Sequence, residues 1–236
     1  MMSGSFRPGL PLSVVTAIAF AVLLGLGTWQ AQKIKPKNQL VAAIEAGLAA
    51  DPVALPVHLD DPTAVAYRRF SFDGTASART PVKVFGINLQ GKAGYHLYKP
   101  VAREFGRAVI VNFGWVPFEL DDLPPLPVGP VSIQGVVMTN PVAGSFTIEN
   151  DSKNGNWHLA DVHELADHFN LGSKDYYHFR LFADHSGGPQ ALPRGSQVRV
   201  DIPNNHFQYM LTWYGIAGAL LSVFLVFGYK KDDDNG

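Results

Sequence analysis

The chain has 236 residues, a formal net charge of −1 and no cysteine. The near-zero charge gives no electrostatic footprint for nucleic acid, and the absence of cysteine excludes disulfides, thiolate metal sites and a cysteine nucleophile. Hydrophobic residues make up 47% of the sequence and cluster in two runs near its ends, so the middle, residues 31–206, is predicted to be one domain with its own core.

The first apolar run, residues 10–29, contains no charged side chain. Its length matches an α-helix that crosses the ~30 Å hydrocarbon core of a bilayer. A cleaved signal peptide is the competing interpretation. An A-x-A-like triplet, at residues 19–21, lies inside the run and not after it, which favours an uncleaved membrane anchor.

After this run, a separate helix is predicted to begin at Pro36, because the missing N–H of proline is tolerated in a first helical turn. Apolar side chains at Leu40, Val41, Ile44 and Leu48 follow at helical spacing. The helix should end near residue 50, since Pro52 disfavours the helical conformation of the residue before it.

From residue 66 the pattern changes to short runs typical of β-strands, with Asp73-Gly74 as a turn signal. One more helix is predicted at residues 158–170, where apolar side chains share one face. Many strands and few helices predict a mainly antiparallel β domain, barrel- or sandwich-like. The predicted strands are residues 67–71, 82–89, 95–101, 107–115, 131–139, 176–183 and 197–202.

The second apolar run, residues 207–229, is also uncharged and long enough to span a membrane. Arg7 before the first span and the two lysines after the second place both termini in the cytoplasm by the positive-inside tendency, with residues 230–236 as a cytoplasmic tail. The domain at 31–206 is then expected in the periplasm, or in the intermembrane space of a mitochondrion. Rows of small residues predict that the spans pack together: Ala17, Ala21 and Gly25; Gly215 and Ala219; Gly218 and Ser222.

No motif in the sequence specifically supports an enzyme. His163 and His168 are five residues apart, whereas a zinc-protease helix needs two histidines four apart on one face, so their rings should point apart. Asp161 with His163, and Asp184 with His185, are possible catalytic pairs, but no G-x-S-x-G elbow or P-loop accompanies them.

The segment where the domain meets the second span is the strongest functional lead. If a helix begins near Asn205, then His206, Tyr209, Met210 and Trp213 lie on one stripe. An imidazole above a stripe of methionine and aromatic side chains suits a flat apolar cofactor with an axial iron position. A capping histidine, or one that merely sits at the membrane interface, is the alternative.

Five blocks of the sequence resemble the surfeit locus protein 1 family, the membrane-bound assembly factors of cytochrome c oxidase. The match extends over nearly the whole chain, including both apolar runs. Two positions depart from the family pattern, Phe113 and Pro203, where the family usually has basic residues. The matching blocks are GLGTWQ at 25–30, AYRR at 66–69, GYH at 94–96 with VNFGWVP at 111–117, NWH at 156–158, and NNHFQY at 204–209 with TWYG at 212–215.

The resemblance implies a bacterial inner-membrane protein that is not an enzyme. It implies binding of haem a through the histidine that begins the second span, which is His206 here, and delivery of haem a to subunit I of the oxidase. Trp29 and Trp213 would flank the haem or anchor the spans. Whether His96 or His158 contributes a second ligand is left open. A haem a synthase is a possible second partner. The alternatives are a scaffold that stabilises a subunit I intermediate without haem and a periplasmic metal-dependent enzyme.

Overall fold

A computed structural model describes residues 4–59, 61–120, 122–185, 188, 190–198 and 204–231. The chain divides into two compact units. A terminal unit contains the segments up to Ala43 and from Asp201, and a central unit contains Ile44–Val200.

Three α-helices and nine β-strands lie within the described residues. The helices are α1 (Leu10–Ala49), α2 (Val162–His168) and α3 (His206–Gly228). The strands are β1 (Gly4–Phe6), β2 (Val53–Ala54), β3 (Arg69–Ala76), β4 (Val82–Ile87), β5 (Ala93–Ala102), β6 (Ala108–Pro117), β7 (Gly129–Thr139), β8 (Tyr176–Ala183) and β9 (Tyr229–Lys231).

Helices α1 and α3 are long and apolar enough to cross a membrane, which confirms the two predicted apolar helices at the ends of the chain. Helix α3 begins at His206, one residue before the predicted span. Helix α1 has 40 residues, so at 1.5 Å per residue it is about 60 Å long and extends well past a ~30 Å hydrocarbon core.

The prediction that a separate helix begins at Pro36 is wrong, because α1 continues through this proline without a break. A proline inside a helix removes one hydrogen bond, here to the carbonyl of Gln32. Pro36 is exposed, so water can satisfy that carbonyl. Good helix formers on both sides of Pro36 then favour continuation. The predicted end near residue 50 agrees with the last helical residue, Ala49.

The segments outside α1 and α3 come together, because β1 pairs antiparallel with β9. The Phe6 ring packs edge-on against Phe224 at 5.6 Å, and Gly228 is buried beneath it. The predicted contacts through rows of small residues are wrong at the glycines, since a Cβ at Gly25, Gly215 or Gly218 would meet nothing within 4 Å.

The central unit contains one seven-stranded mixed sheet with the order β2-β3-β7-β8-β6-β5-β4. Five of its strand pairs are antiparallel and two are parallel, so the mainly antiparallel domain with few helices is confirmed. Strand β3 also pairs with β5. This extra pairing closes a circuit of five strands, β3-β7-β8-β6-β5.

Some boundaries of strands and helices differ from the predictions, because strand pairing and helix capping determine them and the local sequence pattern does not. Asp73-Gly74 is not a turn but lies inside β3, opposite residues 131–132 of β7. Helix α2 is shorter than predicted because the Asp161 carboxylate caps it, accepting from the backbone N–H of His163 and Glu164. The predicted run at 197–202 lies mostly outside the described residues, and residues 197 and 198 belong to no strand there.

Two apolar clusters form the core of the central unit. One cluster consists mainly of side chains from the strands of the sheet and includes Val109, Phe179 and Leu181. The other packs α2 against the sheet through Leu165, Ile110 and further side chains. Trp157 and Tyr98 belong to this second cluster, and both are buried.

Candidate functional site

His206 is the first residue of α3, and its ring is fixed by a side chain of α1. The Nδ1 atom lies 2.7 Å from Oε1 of Gln30. An amide oxygen only accepts, so Nδ1–H is the donor in this bond. In the neutral imidazole the other nitrogen, Nε2, then carries a lone pair and no proton. Among the described residues Nε2 has no hydrogen-bond partner.

Two further contacts between α1 and α3 lie on either side of this pair. The side-chain amide of Asn204 donates to Oδ1 of Asn38 at 2.7 Å. The hydroxyls of Tyr214 and Thr28 are 3.2 Å apart. The start of α3 and the residue Asn204 before it are therefore held to α1 by polar side chains over nearly three helical turns of α1. His206 lies between the outer contacts.

The predicted stripe on α3 exists, because the helix is regular from His206 onward. Met210 and Trp213 are half-buried, whereas Tyr209 is 54% exposed. Trp29 on α1 is 51% exposed, and the Lys33 ammonium lies 5.9 Å from its ring centroid. These side chains offer apolar and aromatic surface that the terminal unit itself does not cover.

A neutral imidazole with a free Nε2 is a metal ligand, and a hydrogen bond at the other nitrogen is the usual way in which proteins fix the ligating tautomer. The arrangement can therefore ligate a metal ion such as haem iron. The described residues contain no group of three or more His, Asp and Glu side chains that could hold a bare metal ion. A cofactor that brings its own equatorial ligands fits this single imidazole better.

Of the two other imidazoles considered as ligands from the sequence, the ring of His96 is bonded at both nitrogens, and the ring of His158 is exposed. His96 Nδ1 accepts from the Asn112 amide at 3.0 Å, so its Nε2 carries the proton and faces the carbonyl of Ile87 at 3.4 Å. Burial lowers the pKa of His96 below its ordinary value. His158 is exposed, and its backbone N–H donates to Asn150 Oδ1 at 2.7 Å.

The possible catalytic pairs are also engaged. Asp161 caps α2, and His163 Nδ1 lies 2.8 Å from the Tyr176 hydroxyl. Asp184 forms an ion pair with Arg69. His185 accepts from the Gly195 N–H at Nδ1 and donates from Nε2 to the Gly188 carbonyl at 2.9 Å.

The predicted separation of the two helical histidines in α2 agrees with their surroundings. The His163 ring contacts Tyr176 and His178. The His168 ring packs against Trp157 and Phe169 instead. The two imidazoles therefore do not form a shared metal site.

Sequence reasoning missed Gln30, the residue that selects the tautomer of His206. It lies just after the uncharged run, 176 positions before His206 in the chain. No local sequence pattern identifies this role, because a glutamine at the end of a membrane helix can equally be a polar residue that contacts only water. Only the antiparallel pairing of α1 and α3 identifies its partner.

Gly27 of α1 allows the close approach of Tyr214. A Cβ on Gly27 would lie within 2.7 Å of Tyr214 Cδ1, whereas one on Gly25 would meet nothing within 4 Å. We expect Gly27→Ala to destabilise the terminal unit by about 1–3 kcal/mol relative to Gly25→Ala, which is the usual cost of overpacking. Both variants gain the same helix propensity, so their difference in thermal midpoint in detergent measures the clash. Equal midpoints would contradict this contact.

Comparisons with known proteins cover most of the chain. The model of the SURF1 family matches residues 17–218. A SURF1-like protein of Rickettsia felis is 26% identical over 219 residues, which are 91% of this chain and 96% of that protein. Surfeit locus protein 1 of Mus musculus is 30% identical over 230 residues, covering 88% of this chain and 71% of the mouse protein. The matched region includes most of α1, the whole central unit and the first half of α3.

Proposed function

Because this chain belongs to the SURF1 family, we propose that it is a membrane-bound assembly factor of cytochrome c oxidase that binds haem a and assists its insertion into subunit I. One observation carries the haem-binding part. The 2.7 Å bond from His206 Nδ1 to Gln30 leaves Nε2 as a free ligand at the start of an apolar helix.

In this proposal each side chain has a defined task. His206 Nε2 supplies the axial ligand, and Gln30 keeps its tautomer and ring orientation. Met210, Tyr209 and Trp213 supply an apolar wall on α3, and Trp29 supplies one on α1. Haem a, when bound, provides an iron centre that accepts a neutral imidazole. A single protein ligand also suits transfer, because a carrier must release what it holds.

The proposed location is a bacterial inner membrane, with the central unit in the periplasm and both termini in the cytoplasm. Arg7 and the lysines at 230 and 231 support this orientation by the positive-inside tendency. The pairing of β1 with β9 supports a common side for the two ends. Subunit I is the proposed recipient of haem a, and a haem a synthase is the proposed donor.

A second candidate function is a scaffold that stabilises a subunit I intermediate without binding haem. The exposed aromatic side chains on the two helices favour it, since Trp29 and Tyr209 are more than half exposed. Such surfaces can pack against the membrane helices of another protein. A catalytic role has less support, because the candidate catalytic side chains are engaged in structural bonds.

The absorption spectrum of the purified protein from cells that make haem a tests the proposal. We expect the bands of haem a to purify with the protein. A purified protein without these bands would contradict haem a binding, and the scaffold function would then be the remaining candidate. A deletion strain separates the two candidates further: the haem carrier predicts oxidase that contains subunit I but little haem a, whereas the scaffold predicts loss of subunit I itself.

Replacing Gln30 tests the tautomer mechanism. We expect Gln30→Leu to weaken haem a binding about 10–100-fold, the usual cost of losing the hydrogen-bond partner of a metal-ligating histidine. Gln30→Glu retains an acceptor for Nδ1–H and should bind as the wild type does. Haem titration of the apoprotein, followed by absorbance, gives both affinities.

Gln32→Leu is the matched control for this measurement. It removes an exposed amide from the same helix, two residues away from Gln30. Its haem affinity should equal that of the wild type. If Gln30→Leu and Gln32→Leu bind equally well, Gln30 has no part in holding the ligand.

A further inference from the structure

A loop of the central unit presents apolar side chains to solvent. It joins β7 to the segment before α2, and residues 141–148 carry no charged side chain. Phe146 is fully exposed, Val142 is 92% exposed and Ile148 is 64% exposed. Isolated exposed apolar residues are normal on a protein surface. Three exposed apolar side chains within seven consecutive positions, without a charge among them, make this loop tip predominantly apolar.

Both ends of this loop are fastened to the region around α2 by asparagine side chains. Asn140 donates to Asp161 at 2.7 Å and accepts from the Val162 N–H at 2.7 Å. Asn150 accepts from the backbone N–H groups of residues 158 and 159 at 2.7 and 3.0 Å. It also donates to the Leu159 carbonyl and to Glu164. The base of the loop is therefore held by six hydrogen bonds.

The tip has its own internal bonds. The Gly144 N–H donates to the Thr147 hydroxyl at 2.7 Å, and the Thr147 N–H donates back to the Gly144 carbonyl at 3.0 Å. This pair closes a four-residue turn with Phe146 in its middle. A fastened base and a closed turn lower the conformational entropy that the loop would lose on binding a surface.

We infer that residues 141–148 insert into the headgroup boundary of the lipid bilayer to which the chain is anchored. Because α1 and α3 anchor the chain in the bilayer, the bilayer has a high effective concentration near the loop. A contact of low intrinsic affinity is therefore sufficient. Three apolar side chains fall far short of the ~800 Å² per partner that a stable protein interface buries. The inference rests on membrane attachment through the two helices and not on haem binding.

The backbone of the loop limits how deep it goes. Irregular segments leave N–H and C=O groups without partners, and such groups do not enter the hydrocarbon core exposed to lipid. Apolar side chains at the boundary instead gain contact with acyl chains while the backbone stays hydrated. Shallow insertion of Phe146, Val142 and Ile148 satisfies both conditions.

The absence of cysteine in the chain makes a direct test possible. Phe146→Cys and, as a control, Lys153→Cys are each labelled with an environment-sensitive dye in the full chain. Lys153 is exposed in the polar turn that follows the loop. Both proteins are reconstituted into phosphatidylcholine vesicles. We expect lipids brominated near the headgroup to quench the dye at 146 several-fold more than at 153, and aqueous iodide to do the reverse.

Two outcomes would overturn the inference. One is equal access of iodide to positions 146 and 153 in vesicles. The other is protection of position 146 only after purified oxidase is added, which would make the loop a protein-binding site. Val142→Cys repeats the measurement at a second tip residue, so that a fault of the Phe146 variant alone cannot decide the result.

Discussion

Replacing His206 by alanine should remove haem a from the purified protein. The variant loses the imidazole at the start of α3 whose Nδ1 bonds to Gln30 and whose Nε2 is left free as a ligand. Loss of the hydrogen-bond partner of a metal-ligating histidine alone weakens binding about 10–100-fold, so loss of the ligand itself should weaken it more than about 100-fold. The measurement is the absorbance of haem a per protein after purification from haem a-producing cells.

His178→Ala is the matched control, because His178 is exposed and its ring Nε2 lies 3.2 Å from the Ser173 carbonyl. It should keep the haem content of the wild type. Added imidazole should restore part of the haem spectrum to His206→Ala, since it can occupy the vacated ligand position. Unchanged haem content in His206→Ala would exclude His206 as the ligand and favour the scaffold function.

The largest effect on stability is expected at Gly114 of β6. This residue has φ of +130°, and a Cβ there would lie 2.6 Å from the carbonyl carbon and oxygen of Arg194. Segment 194–195 must therefore move away in Gly114→Ala. That movement breaks the two 2.8 Å backbone bonds between Trp115 and Arg194. Backbone strain of about 1–3 kcal/mol and two bonds worth about 1 kcal/mol each add up to about 3–5 kcal/mol.

Gly129→Ala separates strain from clash. Gly129 also has a positive φ, +84°, but a Cβ there would meet nothing within 4 Å. This variant should lose only the backbone term, about 1–2 kcal/mol. For a domain of this size each kcal/mol lowers the thermal midpoint by about 2–4 °C, so Gly114→Ala should melt several degrees below Gly129→Ala. Equal thermal midpoints of the two variants would show that segment 194–195 moves away from position 114 without a loss of stability.

The elements with a strong periodic signal were predictable from the sequence. The two uncharged runs predicted the helices α1 and α3, because bilayer thickness fixes how long an uncharged apolar run must be. Strand β8 begins and ends at the predicted residues, 176 and 183. The second apolar helix was predicted to begin near Asn205 and begins at His206, since the change from polar to apolar residues is visible in the sequence alone.

Contacts between distant parts of the chain were not predictable in this way. The partner of His206 is 176 residues away, and glutamine carries no signal of its role. The Asp73-Gly74 pair resembles a turn, yet pairing with β7 holds it in a strand. In the same way, the polar contacts of Tyr214 and Asn204 replaced the expected contacts between rows of small residues. In each case tertiary partners outweighed local preference.

The closed circuit of five strands also bears on how the protein avoids aggregation. An open sheet edge offers unpaired N–H and C=O groups to any other extended chain. Here two residue pairs between β3 and β5 close the circuit, and the Phe85 N–H of the outlying strand β4 donates to the Trp157 carbonyl at 2.8 Å. We expect this closure to leave fewer free backbone groups at which an unpaired strand of another chain could add to the sheet.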